Sequence, residues 1–113
     1  MHEFSITQSI LSIALEKAGA VDAGKITRIN LVTGELSGIV DESVEFYFDF
    51  LRRDTIAAEA SLSFRHPPLQ LRCRNCGTVF SPASYEWQCP GCGGRGVEVV
   101  SGREMYVESI EVT

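Results

Sequence analysis

The sequence predicts an α+β fold: two helices packed on a small, mainly antiparallel β-sheet, with a four-cysteine module of the zinc-ribbon kind inserted between two strands. Three observations carry that expectation. All four cysteines fall in two CxxC pairs, Cys73/Cys76 and Cys89/Cys92, with residues 77–88 between them. Two stretches repeat apolar residues at steps of three and four, and others alternate them at steps of two. Finally, 113 residues, 44 % hydrophobic and 22 % charged, suit one compact domain with at most a small appendage. The expected layout is an α+β part over 1–69 plus 97–113, and an inserted metal-binding module over 70–96.

The first helix is expected to start almost at once. Phe4, Ile10, Leu11, Ala14, Leu15 and Ala18 fill one broad face, and Ser5, Gln8, Ser9, Ser12 and Glu16 the other. Gly19 is the expected C-terminal cap. Over residues 25–33, Ile29, Leu31 and Thr33 alternate with Arg28, Asn30 and Val32, the pattern of a half-buried strand. Gly34 and Gly38 mark the turn that follows. Asp41 is the expected N-cap of a second helix, where Val44, Tyr47, Phe48 and Leu51 recur at i, i+3, i+4 and i+7. Its aromatic run of Phe46, Tyr47, Phe48 and Phe50 reads as core filling rather than a ligand box. Ala60, Leu62 and Phe64 predict a second strand, closed by Pro67 and Pro68. Strand-like residues on both sides of the cysteines, and a strand-like tail over 104–112, complete the chain.

A CxxC turn lets two sulfurs converge on one ion, and two such turns supply the tetrahedral thiolate set that zinc prefers. The spacing is slightly shorter than the commonest four-cysteine pattern but of the same kind. Gly77 follows the first pair and Gly93-Gly94 the second, where a knuckle needs backbone freedom. Val79, Phe80, Tyr85 and Trp87 are the main apolar residues inside the loop, too few to fold it alone. Metal binding, worth about 10–16 kcal/mol in small zinc peptides, is expected to hold it. Paired disulfides would suit a secreted chain, yet no basic, apolar leader pattern precedes residue 2. A redox CxxC needs one motif beside a βαβ unit, and a catalytic zinc needs an open position that four thiolates close.

The formal net charge is −5, and four thiolates with one Zn²⁺ make it more negative by two, −7. Such a surface repels phosphate backbones and argues against nucleic acid. Arg72, Arg74, Arg95 and Arg103 near the cysteines are expected to offset the zinc–thiolate charge. No apolar run approaches the roughly 20 residues that span a bilayer, so no membrane partner is expected. Thiolate ligands without a leader point to a reducing cytoplasm.

Outside the cysteines the most informative residue is His2. A histidine at position 2 can offer the terminal amine of Met1, its own amide nitrogen and its imidazole in fused chelate rings, with further donors from Glu3. Such planar nitrogen sets suit Ni(II) or Cu(II). The same residue also reads as a solvated surface histidine. The initiator methionine is expected to be retained, since histidine is too large for its usual removal. His66, before Pro67-Pro68, has no comparable neighbours and reads as structural or exposed.

Met1-His2-Glu3 leading into a helix, the Gly34-Glu35-Leu36-Ser37 turn, the two CxxC pairs with Cys89-Pro90-Gly91-Cys92, and the ending Glu108-Ser109-Ile110-Glu111-Val112 together resemble the HypA/HybF family of hydrogenase maturation factors. The resemblance covers essentially the whole chain. It implies a nickel metallochaperone, not an enzyme, that delivers Ni(II) to the [NiFe]-hydrogenase centre. The HypB nickel GTPase and the hydrogenase large subunit would be its partners, and a homodimer is also allowed. In that family the amino-terminal His-Glu pair belongs to the nickel site, which carries over to His2 and Glu3. Cys73, Cys76, Cys89 and Cys92 match the zinc ligands. Glu35 and Asp41 lie where acidic residues near the nickel site would fall. No nucleophile–base pair, phosphate loop or paired-carboxylate pattern supports an enzyme. Two other classes stay open: a zinc-ribbon nucleic-acid-binding or transcription accessory protein, and a protein–protein adaptor whose only metal is zinc. Salt-dependent nucleic-acid binding would favour the first, and a stoichiometric nickel titration separates all three.

Overall fold

The computed structural model describes residues 2–82 and 87–113, with His2 described by its backbone alone. The fold class is α+β, as expected, and the chain divides into two compact units. One comprises Met1–Val32, Gly38–Arg65 and Tyr106–Thr113; the other comprises Thr33–Ser37 and His66–Met105. No described helix is long and apolar enough to cross a membrane.

In the first unit, helix α1 spans His2–Ala20 and buries Thr7, Ile10, Leu11, Ala14 and Ala18, a stripe at helical spacing. It runs past Gly19 and ends in a Schellman motif. Asp22 adopts the left-handed conformation (φ 54°), its N–H reaches the Gly19 carbonyl at 3.2 Å, and the Ala23 N–H reaches Ala18 at 3.0 Å. The expected glycine cap is therefore displaced to an aspartate, one of the few non-glycine residues that visit this region readily.

Strand β1 (Ile26–Thr33) is central, flanked by β2 (Ser61–Arg65) and β6 (Met105–Val112). Arg28 pairs with Ser61 and Val32 with Arg65, in parallel. Parallel neighbours need a long crossover, and helix α2 (Asp41–Leu51) lies within it. β6 runs the other way: Thr113 N–H bonds Lys25 O, and the Thr27 hydroxyl donates to Glu111 O. Val32, expected on an exposed face, is fully buried, although Arg28 on the same face of β1 stays exposed, so only the end of that face is covered.

α2 starts one residue earlier than expected. Val40, extended at φ −101°, holds the N-cap position with no side-chain bond, and Asp41 becomes the first helical residue. There Asp41 and Glu42 still complement the positive end of the helix dipole. Val44 and Phe48 are buried as expected, but Phe46 and Phe50 are not core: they are 59 % and 51 % exposed. The eleven-residue helix has room for only one buried stripe, and those two rings lie off it.

The second unit is built on an antiparallel sheet ordered β4-β3-β5, with β3 at Gln70–Cys73, β4 at Val79–Phe80 and β5 at Val97–Ser101. Leu71, at its centre, is fully buried between Phe80 on one neighbour and Val99 on the other. The strands on either side of the cysteines thus pair, as expected. Within this unit residues 34–36 are tied by main-chain bonds to the segments flanking the sheet, from Gly34 N–H to Glu104 O (2.8 Å), Glu35 N–H to Pro67 O (3.0 Å) and Leu36 N–H to Gly102 O (2.6 Å). His66 Nδ1 lies 2.9 Å from the Thr33 hydroxyl and 3.0 Å from the Thr33 carbonyl.

A side chain at Gly34 would place its Cβ 2.3 Å from the Gly102 backbone, whereas one at Gly19 would meet nothing within 4 Å. Gly34→Ala is therefore expected to lower unfolding free energy by about 3 kcal/mol. Gly19→Ala, in the last turns of α1, is expected to raise it by about 0.5–1 kcal/mol. Denaturant titration of both variants checks the pair, and equal effects would contradict the close Gly34–Gly102 crossing.

Candidate metal centre

Each CxxC pair forms the same backbone knuckle. In the first, the Cys73 N–H bonds Thr78 O at 2.9 Å and the Gly77 N–H returns to Cys73 O at 2.9 Å. In the second, the Cys89 N–H bonds Gly94 O at 2.8 Å and the Gly93 N–H returns to Cys89 O at 2.9 Å. The partners stand four and five residues after the leading cysteine in both. Gly77 (φ 78°) and Gly93 (φ 73°) occupy the same left-handed position, which is why glycine directly follows each CxxC.

The two knuckles face each other. The sulfurs of Cys73, Cys76, Cys89 and Cys92 all lie within 4.8 Å of one another, the arrangement of a site for one metal ion. Cys73 Sγ stands 3.5 Å from Cys92 Sγ, and Cys76 Sγ 3.6 Å from Cys89 Sγ. These are non-bonded separations, and all four cysteines are free thiols rather than disulfides. The leading cysteine of each pair is buried and the trailing one exposed. The surrounding backbone serves the sulfurs too: the Gly91 N–H points at Cys89 Sγ from 3.3 Å. A Cβ on Gly94 would lie 3.3 Å from Cys92 Sγ and 3.7 Å from Cys73 Sγ, so Gly94 leaves space beside the cluster.

The proton chemistry of the cluster is uneven. The Thr78 hydroxyl, 3.1 Å from Cys76 Sγ, and then the Thr78 N–H, draw the Cys76 thiol down to about 6. The backbone N–H groups of Cys76 and Asn75 lower Cys73. At Cys92 the Gly94 N–H pulls the same way but is outweighed by the Cys73 sulfur, by partial desolvation of an otherwise exposed residue and by the other two sulfurs, which push it up to about 12. Four sulfurs this close cannot all carry negative charge unaided; a divalent cation among them removes the conflict. The donor set therefore fits a soft divalent ion with a closed tetrahedral shell.

The other residues expected at a metal fall differently. Met1 and the side chain of His2 lie outside the described residues, as does Tyr85 of the inter-knuckle loop. The backbone of His2 opens α1, and the Glu3 carbonyl accepts the hydroxyl of buried Thr7. One carboxylate oxygen of Glu35 accepts the Leu69 N–H at 2.6 Å, a structural bond within the second unit. Asp41 belongs to the first turn of α2, in the other unit. Arg72, expected to balance the cluster, is paired with Glu98 at 3.3 Å. The residue that sequence reasoning missed is Thr78. Its signal was present, a hydroxyl two residues after a ligand cysteine, which is the reach of a local side-chain bond.

Comparison with known proteins bears on the whole chain. The family described as "Hydrogenase/urease nickel incorporation, metallochaperone, hypA" matches residues 1–112. A hydrogenase maturation factor HypA of Dehalococcoides mccartyi is 46 % identical over 99 % of this chain and 94 % of its own. That of Caldanaerobacter subterraneus subsp. tengcongensis is 44 % identical over 99 % of each. The solution structure of the Ni metallochaperone HypA from Helicobacter pylori superposes with a TM-score of 0.69 at 27 % identity, covering 97 % of this chain and 96 % of that one. Another HypA solution structure reaches 0.79 at 28 % identity, over 100 % and 97 %.

The lowered pKa of Cys76 stabilises the folded module above the ordinary thiol range, and that contribution is lost as pH falls through about 6. Thr78→Val removes the main cause, lets protons compete at higher pH, and is expected to weaken Zn²⁺ affinity about 10-fold at neutral pH. Thr78→Ser keeps the hydroxyl and the affinity. Competition with a chromophoric chelator measures both; equal loss in both variants would contradict the role of the hydroxyl.

Proposed function

The chain belongs to the HypA family of hydrogenase/urease nickel-incorporation metallochaperones, and we propose that it binds Ni(II) at its amino terminus and delivers it to the [NiFe]-hydrogenase centre. In this reading His2 supplies an imidazole and the Met1 amine joins the same chelate. Glu3 adds a backbone nitrogen and a carboxylate that orients the site. Cys73, Cys76, Cys89 and Cys92 hold a structural Zn(II) that takes no part in transfer. The HypB GTPase and the hydrogenase large subunit are the proposed partners, in the cytoplasm, and their copurification with the untagged chain checks that part. The chain performs no catalysis of its own. Nickel handling belongs to the α+β part, residues 1–69 plus 97–113, and zinc to 70–96.

The observation that carries this reading is the closure of the four-sulfur cluster. Four thiolates fill a tetrahedral shell, and an ion locked there exchanges poorly. A carried ion needs donors elsewhere that are open enough to release it. The start of α1 suits that need. The first four N–H groups of a helix have no intrahelical acceptor, so the amides of the opening residues are not committed to the helix. The relatives named hydrogenase maturation factor, and the Helicobacter pylori protein named as a nickel metallochaperone, support the same assignment. The nucleic-acid reading has no comparable support. The unit containing both helices carries the whole formal surplus of −5, eleven acidic against six basic residues, and the unit containing the cysteines is balanced.

His2→Ala is expected to abolish stoichiometric Ni(II) binding while leaving zinc content and fold intact, and Glu3→Ala to weaken binding more mildly. An amino-terminal extension disturbs the site and a carboxy-terminal one does not. Nickel affinity falls as pH drops and the imidazole, with a reference pKa of about 6.5, takes up a proton. Calorimetry on the untagged, His2→Ala and amino-terminally extended proteins decides the matter, and equal nickel affinity in all three would sink the proposal.

A further inference from the structure

The two faces of α2 have different environments. Val44 and Phe48 are buried, whereas Phe46 and Phe50, one turn apart, are more than half exposed. Their rings meet edge to face with centroids 5.2 Å apart. Phe46 meets Tyr47 at 5.4 Å, and Tyr47 meets Phe4 of α1 at 5.3 Å. Four rings thus form one continuous apolar ridge across two helices, and the Arg53 guanidinium covers its far end, 5.2 Å over Phe50. Single exposed apolar side chains are ordinary, but a contiguous aromatic patch marks an interaction surface. Aromatic anchors are also what the centres of protein interfaces concentrate.

The rim gives the sign of the partner. Asp41–Leu51 carries Asp41, Glu42, Glu45 and Asp49 and no lysine or arginine. Asp49 is held by Arg52 at 3.0 Å, but Glu42 and Glu45, both exposed, have no ion-pair partner among the described residues. Anionic lipid and phosphate backbones are repelled by such a rim. A second copy would set the same acids against themselves, because Arg52 and Arg53 are already engaged by Asp49 and Phe50. Opposite charge is what favours encounter and fixes orientation at an interface.

We propose that the Phe4–Tyr47–Phe46–Phe50 ridge docks a segment of a partner protein that bears apolar anchors flanked by lysine or arginine. The anchors pack on the exposed edges of Phe46 and Phe50 while the cations meet Glu42 and Glu45. The ridge begins two residues from His2, so a docked partner lies beside the start of α1. Only that adjacency rests on the nickel reading; the docking itself does not.

The test uses the full zinc-loaded chain and a synthetic amphipathic peptide, with leucine at helical spacing and lysine on its flanks. A matched peptide has glutamate in place of lysine. Fluorescence anisotropy reads affinity and amide chemical shifts read location. The lysine peptide is expected to bind and to perturb α2, weakening with salt, and the glutamate peptide not to bind. Combined Phe46→Ser and Phe50→Ser is expected to lower affinity at least about 10-fold, as is combined Glu42→Lys and Glu45→Lys. Because both rings are exposed, the serine variants keep zinc content and thermal midpoint. Nickel titration of the same variants is read separately, so loss of nickel binding and loss of docking are distinguishable. Absence of peptide binding, affinity indifferent to Phe46 and Phe50, or self-association abolished by their substitution would each overturn the proposal.

Discussion

Four sulfurs crowded within 4.8 Å set the terms for the unit that contains them. Bringing four ionisable thiols together costs free energy unless an ion neutralises them, and the protein arranges its backbone as though that ion were part of the fold. The two knuckles repeat the same pair of main-chain bonds at the same offsets, each closed by a left-handed glycine. That repetition explains why the spacing within each pair is fixed. Both Cys73 and Cys89 are buried, so each knuckle anchors one sulfur inside and offers one at the surface. Cys73 is also the last residue of β3, which ties the metal cluster directly to the sheet centred on Leu71.

Much of this was legible in the sequence because it is local. A CxxC-Gly knuckle needs about six residues, so its geometry is written wherever the motif appears. The stripe of α1 and the Val44/Phe48 pair of α2 follow from helical spacing alone. What escaped depended on partners far along the chain or on competition at an element's end. β1 and β2 are parallel because α2 lies in the crossover between them, which alternation within a strand cannot report. Val32 is buried while Arg28, on the same face of β1, is exposed, a local difference that alternation does not report. Gly19 and Asp41 each have the right chemistry for a cap, yet α1 runs on to a left-handed Asp22 and α2 is capped one residue early, at Val40. Phe46 and Phe50 were misplaced for a different reason. Size and hydrophobicity argue for the core, but a helix of eleven residues covers only one face.

The proposed amino-terminal nickel site rests on residue identities and on family membership. What the structure contributes is context. α1 begins at His2, so the nitrogen donors proposed there sit at a helix start rather than inside a hydrogen-bonded turn. Glu35 and Asp41, once placed, have structural positions of their own: one carboxylate oxygen of Glu35 on the Leu69 amide, and Asp41 in the first turn of α2. Two metals would then be segregated by chemistry. On the proposed reading, soft sulfur with a closed shell would retain zinc, and an open set of nitrogen and oxygen donors would carry nickel.

That segregation is the central claim, and X-ray absorption on the untagged protein loaded with both metals tests it most directly. The zinc edge is expected to show four sulfur neighbours at about 2.3 Å, and the nickel edge only nitrogen and oxygen neighbours with the outer-shell pattern of one imidazole. Sulfur in the nickel shell, or nitrogen and oxygen replacing sulfur around zinc, would contradict it.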